Sequence, residues 1–262
     1  MRGFLICSLF LLVTISEVVS AAESVCLTIL YDNYLYNESL QTAWGFACLI
    51  EVGARTILFD TGGDAETLLS NMAALKINPQ QIEIVVLSHV HGDHTGGLFS
   101  LLELNNALTV YLPTSFPKDF KERVKTYGAS VVEVQGPTEI IPGVWSTGEM
   151  GTGIKEQALV VQSPKGLLVV TGCAHPGVVD MVKRAKEITG NKIHLVVGGF
   201  HMAGMSQKQI QEVIKSFQEL GVEEVAPCHC SGDLTRQLFH EAYGDAFYPA
   251  GVGWSIELSP SS

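Results

Sequence analysis

The chain has 262 residues, 47% of them hydrophobic and 16% charged, with a formal net charge of −11 at pH 7. That length fits one large α/β domain or two small ones, with apolar material enough for a substantial core. The acidic balance argues against nucleic acid or an anionic membrane surface as the main partner, and an anionic substrate would need local help from cations.

At the N-terminus Arg2 precedes an apolar run over 4–13, and Ser20-Ala21-Ala22 offers small residues at a cleavage point before Glu23. This is the pattern of a secretory signal peptide over 1–22, with an apolar core too short for a comfortable membrane span. The expected mature protein is therefore 23–262, exported to the periplasm or the extracellular space, without stable membrane insertion after cleavage. Losing Arg2 and Glu17 together leaves the net charge unchanged. Losing Cys7 leaves five of the six cysteines, an odd number that excludes a fully paired disulfide scaffold.

Residues 25–31, 44–52 and 56–59 read as strands, the last two joined by a turn at Gly53. The third runs out in Asp60-Thr61-Gly62-Gly63, and an aspartate at the exit of an apolar strand can support a site lying over the strand ends. Asp64 reads as a turn residue and helix cap. Leu68, Leu69, Met72 and Leu75 recur at helical spacing. A buried strand over 82–87 then leads into His89-Val90-His91-Gly92-Asp93-His94.

Three imidazoles and a carboxylate within six residues, just past a strand end, point to metal. An extended backbone sends His89 and His91 to the same side. Gly92 permits a sharp turn, which brings Asp93 and His94 back towards a second point. One cation can take the first pair and a neighbouring cation the second.

A helix over 98–104, a strand over 108–112, a helix over 116–127 and a strand over 131–134 follow. Pro137, Pro142 and the glycines between 143 and 153 predict a long turn-rich connection facing the substrate, with Trp145 and Met150 as its large apolar residues. Trp145 reads equally well as core. A hairpin over 159–162 and 167–171 leads to Gly172-Cys173-Ala174-His175, and a helix follows with Val178, Val179, Val182, Ala185 and Ile188 on one face. The strand over 193–197 ends in Gly198-Gly199-Phe200-His201. A helix burying Ile210, Val213, Ile214, Phe217 and Leu220 precedes a strand over 222–226 and Pro227-Cys228-His229-Cys230. A helix over 234–243 and a strand over 254–258 close the chain. Six of the eight histidines stand at strand ends, whereas His194 inside a strand and His240 inside a helix read as structural. Strands alternating with helices at this spacing indicate an α/β protein.

His89-Val90-His91-Gly92-Asp93-His94 resembles the signature of the metallo-β-lactamase superfamily of hydrolases. The resemblance implies a four-layer αββα sandwich over 23–262 as a single domain, with Asp60 buried behind the site to orient a ligating imidazole. The first metal is expected to add His175 to His89 and His91, and the second to add His229 to Asp93 and His94. Zinc suits these donors, as one ion or two, and iron or manganese also fit. A water of lowered pKa would be the nucleophile, with Asp93 moving its proton and His201 donating to a substrate oxyanion or polarising a phosphate oxygen.

The wider superfamily usually carries a histidine in a Gly-His-Thr-x-x-Gly turn and a bridging aspartate in Thr-Gly-Asp. Here Glu156-Gln157-Ala158-Leu159 and Thr171-Gly172-Cys173-Ala174-His175 stand in those places. Either Cys173 substitutes for the bridging aspartate or His175 takes over a metal position, and Glu156, like Asp60, is an orienting group or further ligand. With Gly198-Gly199-Phe200-His201 and Pro227-Cys228-His229-Cys230-Ser231-Gly232, these motifs resemble the branch named 7,8-dihydropterin-6-methyl-4-(β-D-ribofuranosyl)-aminobenzene-5′-phosphate synthase, over about 25–258. The leading expectation is an exported metal-dependent hydrolase acting on a small ester, phosphoester or lactam. The alternatives are the synthase-type transferase of that branch and a non-catalytic metal-binding or redox module, the last favoured by Cys228 and Cys230 beside His229.

Overall fold

Strands that are apolar at nearly every position need cover on both faces, and the architecture supplies it twice. The structure, a computed structural model, describes residues 23–260. The expected signal segment and Cys7 lie outside the described residues. The first half runs β1 (Val25–Tyr31), β2 (Ala47–Val52), β3 (Arg55–Phe59), α1 (Ala65–Ala74), β4 (Ile84–Val86), α2 (Gly92–Thr95), α3 (Leu98–Leu104), β5 (Thr109–Pro113), α4 (Lys118–Thr126) and β6 (Ser130–Val134). The second runs β7 (Thr138–Ile141), β8 (Val144–Ser146), β9 (Leu159–Ser163), β10 (Gly166–Thr171), α5 (Val178–Thr189), β11 (Ile193–Gly199), α6 (Gln207–Leu220), β12 (Glu224–Cys228), α7 (Asp233–Tyr243) and β13 (Ser255–Leu258).

One sheet has the order β13-β1-β2-β3-β4-β5-β6 and the other β12-β11-β10-β9-β8-β7. The two-residue period of a strand divides each apolar run between two cores. Leu27, Ile50, Ile57 and Val86 meet Leu168, Val170, Leu195 and Val197 between the sheets. Their neighbours Leu49, Leu58 and Val85 face Leu68 and Met72 of α1 and Leu98 and Leu101 of α3. Val160, Val169 and Val196 face Met181 of α5, Ile210 of α6 and Phe239 of α7. This is the expected αββα sandwich. No helix among the described residues is long and apolar enough to cross a membrane.

The stretch expected to be one turn-rich connection contains two strands. β7 and β8 pair antiparallel around Pro142 and Gly143 and form the edge of the second sheet. Strands of three and four residues give too few alternations to register against that density of proline and glycine. Trp145 lies on β8, half-buried against the outer core of the second sheet, so it is a packing residue. Trp44, Gly45 and Phe46, expected in β2, stay outside it because Gly45 takes a φ of 148° and the chain there packs onto the loop carrying Asp93.

Parallel pairing joins β3 to β4 in the first sheet and β10, β11 and β12 in the second. The carboxyl ends of those strands meet at one rim, which is where open α/β sheets place their ligands. Asp60 follows β3, Ser88 and His89 follow β4, Cys173 follows β10, His201 follows β11 and His229 follows β12. Gln157 ties the two halves together there, its side-chain amide donating to the Leu87 carbonyl at 2.8 Å and its backbone N–H to that of Ser88 at 3.0 Å.

Candidate metal centre

Every residue expected at the site arrives at this rim. The one-turn helix α2 folds Asp93 and His94 back over His91, with the His94 N–H donating to the His91 carbonyl at 3.1 Å. Two adjoining groups of donor atoms result: His89, His91 and His175, and beside them Asp93, His94, Cys173 and His229. The His89 ring joins the groups, its centroid lying 4.6 Å from those of His91 and His175 and 4.2 Å from that of His94. The first group brings together His89, His91 and His175, and the second brings together Asp93, His94 and His229 with Cys173 among them.

The imidazoles are held by their far nitrogens. His94 Nδ1 donates to Asp60 Oδ2 at 2.7 Å, and His175 Nδ1 donates to Glu156 Oε2 at 2.8 Å. His89 Nδ1 donates to Ser88 Oγ at 2.9 Å, which itself donates to Asp60 Oδ2 at 2.7 Å. His229 Nδ1 donates to Asn33 Oδ1 at 3.1 Å, and Asp32 accepts the His229 N–H at 3.1 Å. With each Nδ1 proton engaged, Nε2 is the atom each of the four rings turns toward a cation, His229 giving up the proton it shares with Asp93 when one binds. Asp60 and Glu156 thus bond to the far sides of these rings and lie outside both donor groups. Ser88, Asn33 and Asp32 carry no sequence signal that separates them from ordinary turn residues.

The donor set tests whether metal fits. Tetrahedral zinc with bonds of about 2.0 Å to nitrogen and 2.3 Å to sulfur sets its ligand atoms roughly 3.3–3.5 Å apart. Cys173 Sγ lies 3.2 Å from His94 Nε2 and 3.4 Å from His229 Nε2. Asp93 Oδ2 lies 3.7 and 3.5 Å from the same two nitrogens, and His89 Nε2 lies 3.1 Å from His91 Nδ1. The residues fit.

Electrostatics favours cation binding too. Burial, together with the neighbouring imidazoles, pushes the pKa of His89 and of His94 down to about 3, so both rings are neutral and ready to ligate at pH 7. Burial works against ionised Asp93, but the hydrogen bond from His229 and the two imidazoles beside it hold its carboxyl well below the usual range. Burial pushes the Asp60 carboxyl up to about 8 although the two Ser88 donors pull the other way, and a cation beyond His94 would favour its ionised form.

Backbone strain collects at the same place. Asp60, Ala174, His201 and His229 are four of the five non-glycine residues with left-handed φ among the described residues. Each costs on the order of 1 kcal/mol, and such strain persists only where the surroundings over-determine it. His201 is exposed with its ring centroid 4.4 Å from that of His175, at the mouth of the site. Its Nδ1 or Nε2 also lies close to Cys173 and Cys230, a neighbour not included in the expected ligand set. All five cysteines of the described residues are free thiols. His194 and His240 stay away from the rim, the first paired with Glu223 at 2.8 Å and the second exposed on α7 against Phe247. Asp64 caps α1, accepting from the Thr67 N–H at 2.8 Å.

Gly172 faces this network so closely that a Cβ would strike Ser88 Oγ and lie 2.9 Å from Asp60 Oδ2. Gly172→Ala is therefore expected to displace the His89–Ser88–Asp60–His94 chain and cost about 1–3 kcal/mol. Thermal denaturation and metal content of the purified variant check it, and both should fall.

An αββα sandwich with two adjoining His-rich donor groups at one sheet rim defines an α/β protein with candidate metal-binding residues where its strands end. Residues 45–182, over half of the chain, match the metallo-beta-lactamase superfamily. A 7,8-dihydropterin-6-methyl-4-(beta-D-ribofuranosyl)-aminobenzene-5'-phosphate synthase of Methanocaldococcus jannaschii is 31% identical over 280 aligned positions, covering 88% of this chain and 95% of the relative. A solved metal-dependent hydrolase of the beta-lactamase superfamily superposes with a TM-score of 0.75 at 28% identity, covering 90% of this chain and 99% of the other. The metallo-beta-lactamase fold protein YhfI from Bacillus subtilis shares the fold, with a TM-score of 0.68 at 16% identity over 90% and 99% of the two chains. The chain belongs to the metallo-beta-lactamase superfamily.

Proposed function

We propose that this protein is an exported metal-dependent hydrolase that cleaves a small ester, phosphoester or lactam. The observation that carries the reading is the convergence of His89, His91 and His175 beside Asp93, His94, Cys173 and His229, with the Nδ1 protons of His89, His94, His175 and His229 all tied back to acceptors. The export part rests on the N-terminal sequence pattern alone.

Zinc suits the first group, and the second adds the Cys173 sulfur, which a bound cation would deprotonate and which strengthens the case for zinc over harder ions. When bound, such ions supply Lewis acidity and a water acidic enough to act as nucleophile near neutral pH. The chain's own part is to place and move protons. Asp93, partly exposed and ionised, takes the proton of the attacking water as the new bond to carbon or phosphorus forms and the bond to the leaving group breaks. Exposed His201 donates to the developing oxyanion or to a phosphate oxygen. Asp60 and Glu156 keep the imidazoles fixed while charge shifts.

Chelation tests the reading. Treatment with EDTA should abolish hydrolysis across a panel of generic esters, phosphodiesters and lactams, and added zinc should restore it. Hydrolysis that survives complete metal removal would overturn it. The Methanocaldococcus jannaschii relative favours a second reading, a synthase-type transferase. A chain that holds metal and hydrolyses nothing in the panel, yet joins the substrates of that relative, would establish it.

A further inference from the structure

The rim of the site is apolar in a way that catalysis by metal does not require. Of the seven large apolar side chains standing exposed among the described residues, three stand at the site: Trp44, Val90 and Ile154. Trp44 lies on the connection between β1 and β2, Val90 sits between His89 and His91, and Ile154 lines a cavity of about 490 Å³ with His175 and Pro176. Exposed apolar groups gathered around polar chemistry mark a surface that expects a ligand.

Trp44 is the most exposed of them, at 58%, and its ring centroid lies 5.0 Å from that of His229 with the planes tilted by 53°. Its backbone is clamped to the metal-site loop. The Phe46 N–H donates to the Asp93 carbonyl at 3.2 Å, and a Cβ on Gly63 would lie 2.8 Å from the Trp44 carbonyl. A Cβ on Gly45 would strike the Asp93 carbonyl itself. The clamped backbone fixes where the indole emerges, beside His229, and its two side-chain torsions make it a flat contact surface of low entropic cost.

We infer that Trp44 is a substrate-binding residue whose indole stacks on a planar aromatic or heteroaromatic ring, so that the substrate carries such a ring beside the group cleaved. This deepens the hydrolase reading by naming a substrate class, and it rests on the metal centre that the reading requires. A flat ring suits the site better than an aliphatic group because stacking uses the indole face that the fold leaves open.

The test separates the two ideas by using ligands that cannot be hydrolysed. The zinc-loaded full chain is titrated calorimetrically with phenylphosphonate and with cyclohexylphosphonate, the phosphonate serving both as metal anchor. Wild type should prefer the phenyl compound, Trp44→Ala should weaken phenyl binding roughly tenfold and erase the preference, and Trp44→Phe should keep most of it. Metal content should be equal in all three, which a merely structural role for Trp44 would not predict alongside a changed preference. No phenyl preference in wild type, or a preference that persists in Trp44→Ala, overturns the assignment. Absence of turnover on the hydrolysis panel would overturn the hydrolase reading and leave this binding result standing.

Discussion

Replacing Asp93 by asparagine is expected to lower kcat by roughly 10²–10⁴-fold, the range a positioned acid–base group contributes. Asp93 is the one carboxylate in the second donor group, and its oxygen faces His94 Nε2 and His229 Nε2 at 3.7 and 3.5 Å. An amide oxygen can still face a cation from that position, so Asp93→Asn should retain most of its metal. It cannot accept a proton, so chemistry should fail while KM moves little. Asp93→Ala removes the donor as well, and should lose both activity and the cation of the second group. Steady-state kinetics and metal analysis of the two variants separate these outcomes. Hydrolysis undiminished in Asp93→Ala would show that this carboxylate plays no part.

Glu156→Ala is expected to cost the most stability. The side chain is fully buried and accepts four hydrogen bonds at 2.8 Å, from the backbone N–H groups of Cys173, Ala174 and His175 and from His175 Nδ1. Truncation strands three buried amides, each worth about 1–3 kcal/mol when left unpaired. The combined loss is on the order of 3–5 kcal/mol, and His175 loses its orientation, weakening metal affinity about 10–100-fold. Burial works against the ionised form, but the His175 hydrogen bond, the charge of His89 and the amides of His175 and Ala174 hold the pKa at about 2, below an ordinary 4.5.

The sign of the pH effect follows from that depression. The stabilisation is fully present above about 4.5 and is lost as pH falls through about 2, a swing on the order of 3 kcal/mol for this buried group. Chemical denaturation of metal-free protein between pH 7 and 2 should show this acid limb in wild type and a flatter one in Glu156→Gln. An unchanged limb in the variant would mean that Glu156 does not titrate as argued.

Much of the site was legible in the chain because its signals are local. His89, His91, Asp93 and His94 lie within one strand exit and one turn, where two-residue alternation and a single glycine decide which way each side chain faces. The same period explains why most strands were readable, and why β7 and β8, too short to show it, were not. His175, His201 and His229 were recognisable as residues at strand ends, and a resemblance between motifs was needed to distribute them between cations.

What the sequence by itself determined is the kind of chemistry: imidazoles, a carboxylate and thiols placed where parallel strands stop. What only the tertiary structure decided is who serves whom. Asp60 turns out to hold His94 and, through Ser88, His89; Glu156 holds His175; Asn33 holds His229; Cys173 faces the second donor group and Trp44 covers His229. The physical reason is range. Strand alternation and turn formation act over a few residues and leave their mark in the local pattern, whereas these contacts join positions up to 196 residues apart and exist only once two sheets have packed face to face.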